Sequence, residues 1–449
     1  MGAVYNSLER QKLDAPKCHP NTRVAVIQRI IDWIIGEIYL AALILWVYGA
    51  AGAGKSAIAH SLAERCDEEG WLLATFFFWK SASERNNIDR FVATIVYQAA
   101  RSISALLPLI EHAVESDPMI FHHSVDAQLE KLIVKPLQRL HSTGFDFRNR
   151  PFVIIIDGLD ECRGELIQSG LVNSLAAAFL RSPFRIRILI ATRPEPHLQA
   201  TFNSASIDPH ISRLALSDEY SPDEDIYRFL EDSFEAMKHG HPLASCIPPP
   251  WPGPAILHEL TRKSSGQFIF ASTTVKYVCS NPCEIPTRRL DVIRRLQPPR
   301  GEEDLPYAEL NSLYNYVLSK VHGIERVMLV LGFLLILDPN MSDSLTNIAS
   351  TRKMDTFFFW TPGETQACLS QLASVIECDA RGRIHILHTS LQDFLYDPSR
   401  SGQFYLCRES FLYNVALLGL HHISHNMIDI SLQGASLIAS CVLLLVAQL

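Results

Sequence analysis

Five runs of consecutive apolar, β-prone residues punctuate the first half of the chain. They are residues 43–48, 72–79 (LLATFFFW), 152–157 (FVIIID), 186–192 (IRILIAT) and 211–216 (ISRLAL). Unbroken apolarity over such lengths, rather than alternation, fits parallel strands covered on both faces. Apolar residues at helical spacing fill the gaps, over 56–69, 89–101, 125–141 and 164–180. This order predicts a doubly wound α/β fold, a parallel sheet with helices on both faces and right-handed crossovers. A ligand is then expected beyond the carboxyl ends of the strands.

After residue 216 the pattern turns helical. Segments 222–238 and 255–278 read as helices around the breaker Pro248-Pro249-Pro250-Trp251-Pro252. A second breaker, 297–306, precedes helices at 307–321 and 325–337. A segment at 365–375, a hairpin over 376–387 turning at 379–382, and a helix at 389–396 suggest a small winged-helix-like unit. The expected division is a lead-in (1–22), the sheet domain (23–216), an α-helical domain (217–300), the winged-helix-like domain (301–400) and a helical or apolar tail (401–449). No repeat of solenoid period is visible.

Two stretches are apolar enough to be considered for a membrane. Residues 30–48 include Asp32 and Glu37 and read as an amphipathic helix leading into a buried strand. Residues 432–449 are nearly free of charge and only just long enough to span. A buried helix, or the cut end of a longer protein, is preferred to a tail anchor there.

Composition narrows the classes. Of 449 residues, 48% are hydrophobic and 20% charged, which supports buried cores and two or three domains. A net charge of −8 argues against general affinity for nucleic acid. The run Arg288-Arg289 and Arg294-Arg295 reads as a solvated helix face. Ten cysteines without a C-x-x-C, and no apolar leader, make reduced thiols in the cytoplasm the expectation. Residue Asn6 stands where a myristoylation signal needs Ser or Thr.

The chemistry is carried by three pieces. Gly49-Ala50-Ala51-Gly52-Ala53-Gly54-Lys55-Ser56, with Ala57 after it, fits G-x-x-x-x-G-K-[ST] between a strand and a helix. Glycines and small alanines let backbone N–H groups wrap a polyphosphate, and the helix start adds positive potential. Lys55 supplies a point charge, and the Ser56 hydroxyl can ligate magnesium. The second piece, ending Asp157-Gly158-Leu159-Asp160-Glu161-Cys162, delivers Asp157 to a strand terminus as a second magnesium ligand. Asp160 or Glu161 is the candidate to orient or deprotonate water, though both residues also suit a helix start. The third piece, Thr192-Arg193-Pro194, puts a guanidinium at the same sheet edge, where Arg193 can support phosphate charge or form a surface salt bridge. His421, His422 and His425 have helical metal-site spacing but no further ligand.

These pieces resemble the NACHT group of signal-transducing (STAND) NTPases, which includes the NOD-like receptors, and especially its fungal, nephrocystin-type branch. The likeness extends to Cys18-His19-Pro20-Asn21-Thr22-Arg23, to Phe91 through Gln98, and to His388 within the stretch 386–395. It implies an ATP/ADP-binding switch with slow magnesium-dependent hydrolysis, oligomerising in its ATP state, in fungal innate immunity or non-self recognition. It also implies that His388 contacts the β-phosphate, and it makes Thr22 and Arg23 candidates for adenine, because Gly266-Gln267-Phe268 lacks the proline through which relatives touch the base. Signalling partners are not implied by name. A nucleotide-stabilised scaffold without hydrolysis is the alternative. A small-molecule kinase lacks any acceptor-binding signature.

Overall fold

The computed structural model describes residues 3–7, 16–80, 82, 84–145, 147, 150–180, 186–216, 222–299, 307–336, 350–378, 382–407, 409–411, 413 and 417. The chain divides into two compact units, Met1–Asp225 and Ile226–Leu449. The boundary between these units falls inside a helix, Pro222–Gly240.

The first unit is built on five parallel strands: β1 (Ile44–Tyr48), β2 (Leu72–Phe77), β3 (Phe152–Asp157), β4 (Ile186–Thr192) and β5 (Ile211–Ala215). Their order is β2-β3-β4-β1-β5. The third and fourth strands have the expected bounds; the others are shorter by one or two residues at an end. Burial on both faces explains their unbroken apolarity. Phe152, Ile154 and Ile156 of β3 enter one core, whereas Val153 and Ile155 enter the other. In β4, Ile186, Ile188 and Ile190 join the first core, and Leu189 and Ala191 the second. The architecture is that of a P-loop NTPase sheet with helices on both faces.

Among the described residues the helices lying wholly in this unit are α1 (Val24–Ile35), α2 (Lys55–Glu68), α3 (Phe91–Ser102), α4 (Leu107–Ser116), α5 (Val125–Leu129), α6 (Lys135–Ser142), α7 (Glu165–Leu180) and α8 (Pro196–Phe202). In α1 the buried set Val26, Ile30, Ile31, Trp33 and Ile34 recurs at helical spacing, and Gly36 closes the helix in the left-handed region. The expected helix at 125–141 is α5 and α6 joined by a π turn, Glu130–Val134. Helix α4 has no counterpart among the expectations.

Registers align the strand ends. Tyr48 lies opposite both Thr192 and Ala215, and Asp157 opposite both Ala191 and Phe77. Trp46 Nε1 donates to Thr192 Oγ1 at 2.8 Å, joining β1 and β4 near that edge. At the far side, the Gln98 amide accepts from Thr75 N at 3.0 Å and donates to Thr75 O at 2.8 Å. Phe77 N donates to Ala3 O at 2.9 Å, and Tyr5 N to Thr75 Oγ1 at 3.1 Å.

Helix α9 (Pro222–Gly240) opens with Asp223, Glu224 and Asp225 and carries Ile226, Leu230 and Phe234 into the core of the second unit. There follow α10 (Pro254–Ser264), α11 (Phe268–Cys279), α12 (Pro286–Arg295), α13 (Ala308–Ser319), α14 (Ile324–Ile336), α15 (Thr351–Phe357) and α16 (Glu364–Ser370). The single helix expected over 255–278 is split where Ser265 and Gly266 adopt positive φ. The segment noted at 365–375 is helical as far as Ser370, and α15 was not expected. Strands β6 (Ile376–Cys378) and β7 (Ile384–Ile386) pair antiparallel ahead of α17 (Thr389–Leu395). In α12, Arg289 pairs with Glu284, and Arg294 with Glu259 and Asp291. The turn at 379–381, the histidines at 421–425 and the segment 432–449 lie outside the described residues. Among the described residues no single helix is long and apolar enough to cross a membrane.

Candidate phosphate and magnesium site

The edge formed by Tyr48, Asp157 and Thr192 carries the three predicted pieces, all in the first unit. From Tyr48 the chain passes through the glycine loop into α2. Gly54, the residue before that helix, has φ 91°, a left-handed conformation that costs an ordinary residue about 1–2 kcal/mol. Gly49 is favoured by closeness instead: an added Cβ would lie 3.2 Å from the Leu216 Cβ, a tight contact. Helix α2 has no side-chain cap and no acidic residue in its first turn. Its first N–H groups and positive end therefore face the loop without a built-in anion.

Lys55 Nζ donates to the Gly49 carbonyl at 2.7 Å and the Ala50 carbonyl at 2.8 Å. Burial lowers its pKa. Asp160 pulls it back up, Arg193 lowers it, and Asp157 and Glu161 raise it. The ammonium is thus inside the field of all three carboxylates singled out from the sequence.

Strand β4 lies between β1 and β3, so the glycine loop and Asp157 rise from strands two spacings apart, roughly 10 Å. Arg193, at the end of β4, comes up between them. Its backbone N–H donates to Asp160 Oδ1 at 3.1 Å, and its Nε stands 3.4 Å from Asp160 Oδ2. Asp160 is thereby engaged in tying the β3 and β4 ends together. Glu161 is the other acidic candidate. Its Oε2 accepts from Lys80 N at 3.0 Å. Burial first, and then the Asp160 charge, push its carboxyl up to about 8, against a downward pull from the Lys80 N–H.

The donor set suits magnesium. Asp157 is buried at the strand end, and Ser56 opens α2, which gives a carboxylate and a hydroxyl, both hard oxygen donors. No group of three or more His, Cys, Asp or Glu residues arranged for a metal occurs among the described residues. Magnesium commonly takes one or two carboxylates plus phosphate oxygens and water, so such a cage is not what this chemistry calls for.

Thr22 and Arg23 are both buried. The Thr22 hydroxyl donates to His19 O at 2.7 Å. Arg23, at φ 56°, donates from Nη2 to the Ala53 carbonyl at 3.1 Å and from its backbone N to Asp225 Oδ2 at 3.0 Å. The guanidinium is thus part of the frame of the phosphate loop. His388 lies in the second unit, where Nδ1 accepts from Ser390 N at 3.0 Å and caps α17. Ser390 Oγ, 2.7 Å from that nitrogen, is also 2.7 Å from the buried Tyr314 hydroxyl. An accepting Nδ1 puts the proton of the neutral ring on Nε2.

Four supports of the acidic turn were not anticipated: Lys80 through its backbone, Asn86, Gln168 and His197. Asn86 is fully buried, and its carbonyl accepts from Arg163 N at 2.7 Å. Gln168 had a visible signal. It occupies the buried stripe of α7 with Leu171, Val172, Leu175, Ala176 and Phe179, where an amide must find partners.

A family model, described as the N-terminal region of nephrocystin 3, matches residues 30–193. Among proteins with curated descriptions none matches. Similar solved structures include Cdc6p from Pyrobaculum aerophilum, at 12% identity and TM-score 0.37, covering 91% of this chain and all of that one. Another is the Aeropyrum pernix ORC1 protein in complex with DNA, at 13% identity and TM-score 0.34, covering 88% and 97%. A third is Drosophila ORC bound to DNA, at 12% identity and TM-score 0.37, covering 78% and 88%. At these scores the likeness carries no functional argument.

Proposed function

We propose that this chain is an ATP/ADP-dependent switch of the NACHT type, in which magnesium-dependent hydrolysis is slow and is coupled to opening and self-association. The observation that carries the reading is the meeting of an uncapped helix start behind a left-handed Gly54 with a buried strand-end carboxylate, Asp157. Polyphosphate oxygens replace the Gly49 and Ala50 carbonyls as partners of the Lys55 ammonium. Ser56 and Asp157 hold magnesium, which when bound neutralises phosphate charge. Glu161 accepts a proton from the attacking water. That water's oxygen bonds to the γ-phosphorus as the bond to ADP's β-phosphate oxygen breaks, which yields ADP and inorganic phosphate. Arg193 stabilises the charge on the transferred group. Thr22 serves as the lead-in's contact for adenine. The resemblance also offers the β6–β7 hairpin with its flanking helices as winged-helix-like, and His388, whose Nε2 carries the ring proton, as a donor to the β-phosphate.

The raised Glu161 carboxyl, a product of its burial and of the Asp160 charge, favours a second reading. A protonated Glu161 takes no proton from water, and a chain resting so would use ADP as a structural cofactor. Denaturing the purified protein and identifying the released nucleotide, with Lys55→Ala as control, tests binding. Phosphate release over hours separates the two readings. No adenine or guanine nucleotide bound by well-folded, ligand-stripped protein would refute both.

A further inference from the structure

The acidic turn is gripped on both sides of Glu161 by one side chain. Gln168, 4% exposed, donates from Nε2 to the Cys162 carbonyl at 2.5 Å and to the Asp160 carbonyl at 3.3 Å. With the amide nitrogen so used, Oε1 must accept, and His197 Nε2 lies 2.7 Å from it. The neutral His197 ring therefore carries its proton on Nε2. His197 belongs to α8, which follows Arg193 and Pro194. The same helix is tied to α7 again where Thr201 Oγ1 donates to Ser169 Oγ at 2.9 Å. The turn holding Glu161 and the segment holding Arg193 are thus joined twice, through Asp160–Arg193 and through Gln168–His197.

We infer that Gln168 and His197 are positioning residues for hydrolysis. They set the backbone on either side of Glu161, and so its carboxylate, relative to the group that Arg193 attends. Neither touches nucleotide. Their loss leaves the phosphate loop and the Asp157 ligand intact and displaces only the proton acceptor. The inference rests on the proposed hydrolysis.

The test uses the full chain with magnesium and ATP, comparing wild type with Gln168→Leu, His197→Ala and His197→Gln. The expected result is nucleotide affinity within about twofold of wild type, with kcat lowered about tenfold or more in Gln168→Leu and His197→Ala. His197→Gln, whose amide N–H can take the place of Nε2–H, should recover most of that loss. If Gln168→Leu does not fold, the partly exposed His197 supplies the comparison. Unchanged kcat in His197→Ala, equal loss in His197→Gln, or affinity falling in step with kcat would overturn the positioning role. Wild-type protein that binds nucleotide without turning it over would also overturn it while leaving the binding reading intact. Absence of binding would remove the reading beneath it.

Discussion

Replacing Glu161 by Gln should remove a proton from the binding reaction. With the Glu161 carboxyl titrating at about 8, roughly 0.9 of the sites carry a proton at pH 7, roughly 0.5 at pH 8 and roughly 0.1 at pH 9. A magnesium ion held at Asp157 would favour the ionised form of a carboxyl in the same cluster, against the opposing pull of the phosphate charge. If the value returns to the ordinary 4.5, binding at pH 7 releases roughly 0.9 of a proton per site and at pH 9 almost none. Calorimetric titration with magnesium ADP in two buffers of different ionisation enthalpy counts those protons. The phosphate's own titration and any contribution from Lys55 are common to both proteins, so the difference between wild type and Glu161→Gln isolates the carboxyl. Stability should respond with a definite sign. Between 4.5 and about 8 the folded chain binds more protons than the unfolded one. The Glu161 contribution is therefore fully present below pH 4.5 and is lost as pH rises through about 8. Nucleotide-free wild type should lose more Tm from pH 6 to pH 8 than Glu161→Gln does. Identical proton counts in the two proteins would refute the electrostatic account of this site.

Lys55→Ala should weaken ADP binding on the order of 100-fold with an unchanged melting curve, as measured by calorimetry and thermal denaturation. Asp157→Asn should keep magnesium-free ADP binding and lose the gain that magnesium gives, seen in paired titrations with and without a chelator. Gly54→Ala forces a Cβ onto a φ of 91° and should cost about 1 kcal/mol in chemical denaturation, with weaker phosphate binding. Arg23→Ala removes the donor to Ala53 and leaves Asp225 without its guanidinium, and should cost about 2 kcal/mol on the same assay.

The sheet was legible because burial on both faces demands continuous apolar runs, and the β3 and β4 limits follow directly from them. Their order in space was not legible, since placing β4 between β1 and β3 depends on crossovers that periodicity does not encode. That placement is what brings Arg193 between the glycine loop and Asp157. The loop could be read because phosphate wrapping leaves few options for residue type. The roles of Asp160 and Glu161 could not be told apart by adjacency alone, and it is Arg193 from another strand that separates them. Arg23 illustrates the converse. The resemblance of the lead-in segment made it an adenine candidate, and the fold adds bonds to Ala53 and to Asp225, a partner 202 residues away. The break at Ser265 was missed because a serine gives little warning of a left-handed backbone.

The outer border of β2 has one further consequence. A strand of six buried residues, LLATFF, would ordinarily invite another polypeptide to pair alongside it. Here the amide of Gln98 impersonates a neighbouring peptide group at Thr75, and the carbonyl of Ala3 answers Phe77. The template is filled from within the molecule, by a side chain and a few residues of main chain. Copies of this protein cannot lengthen the sheet past β2 without first evicting its own lodgers.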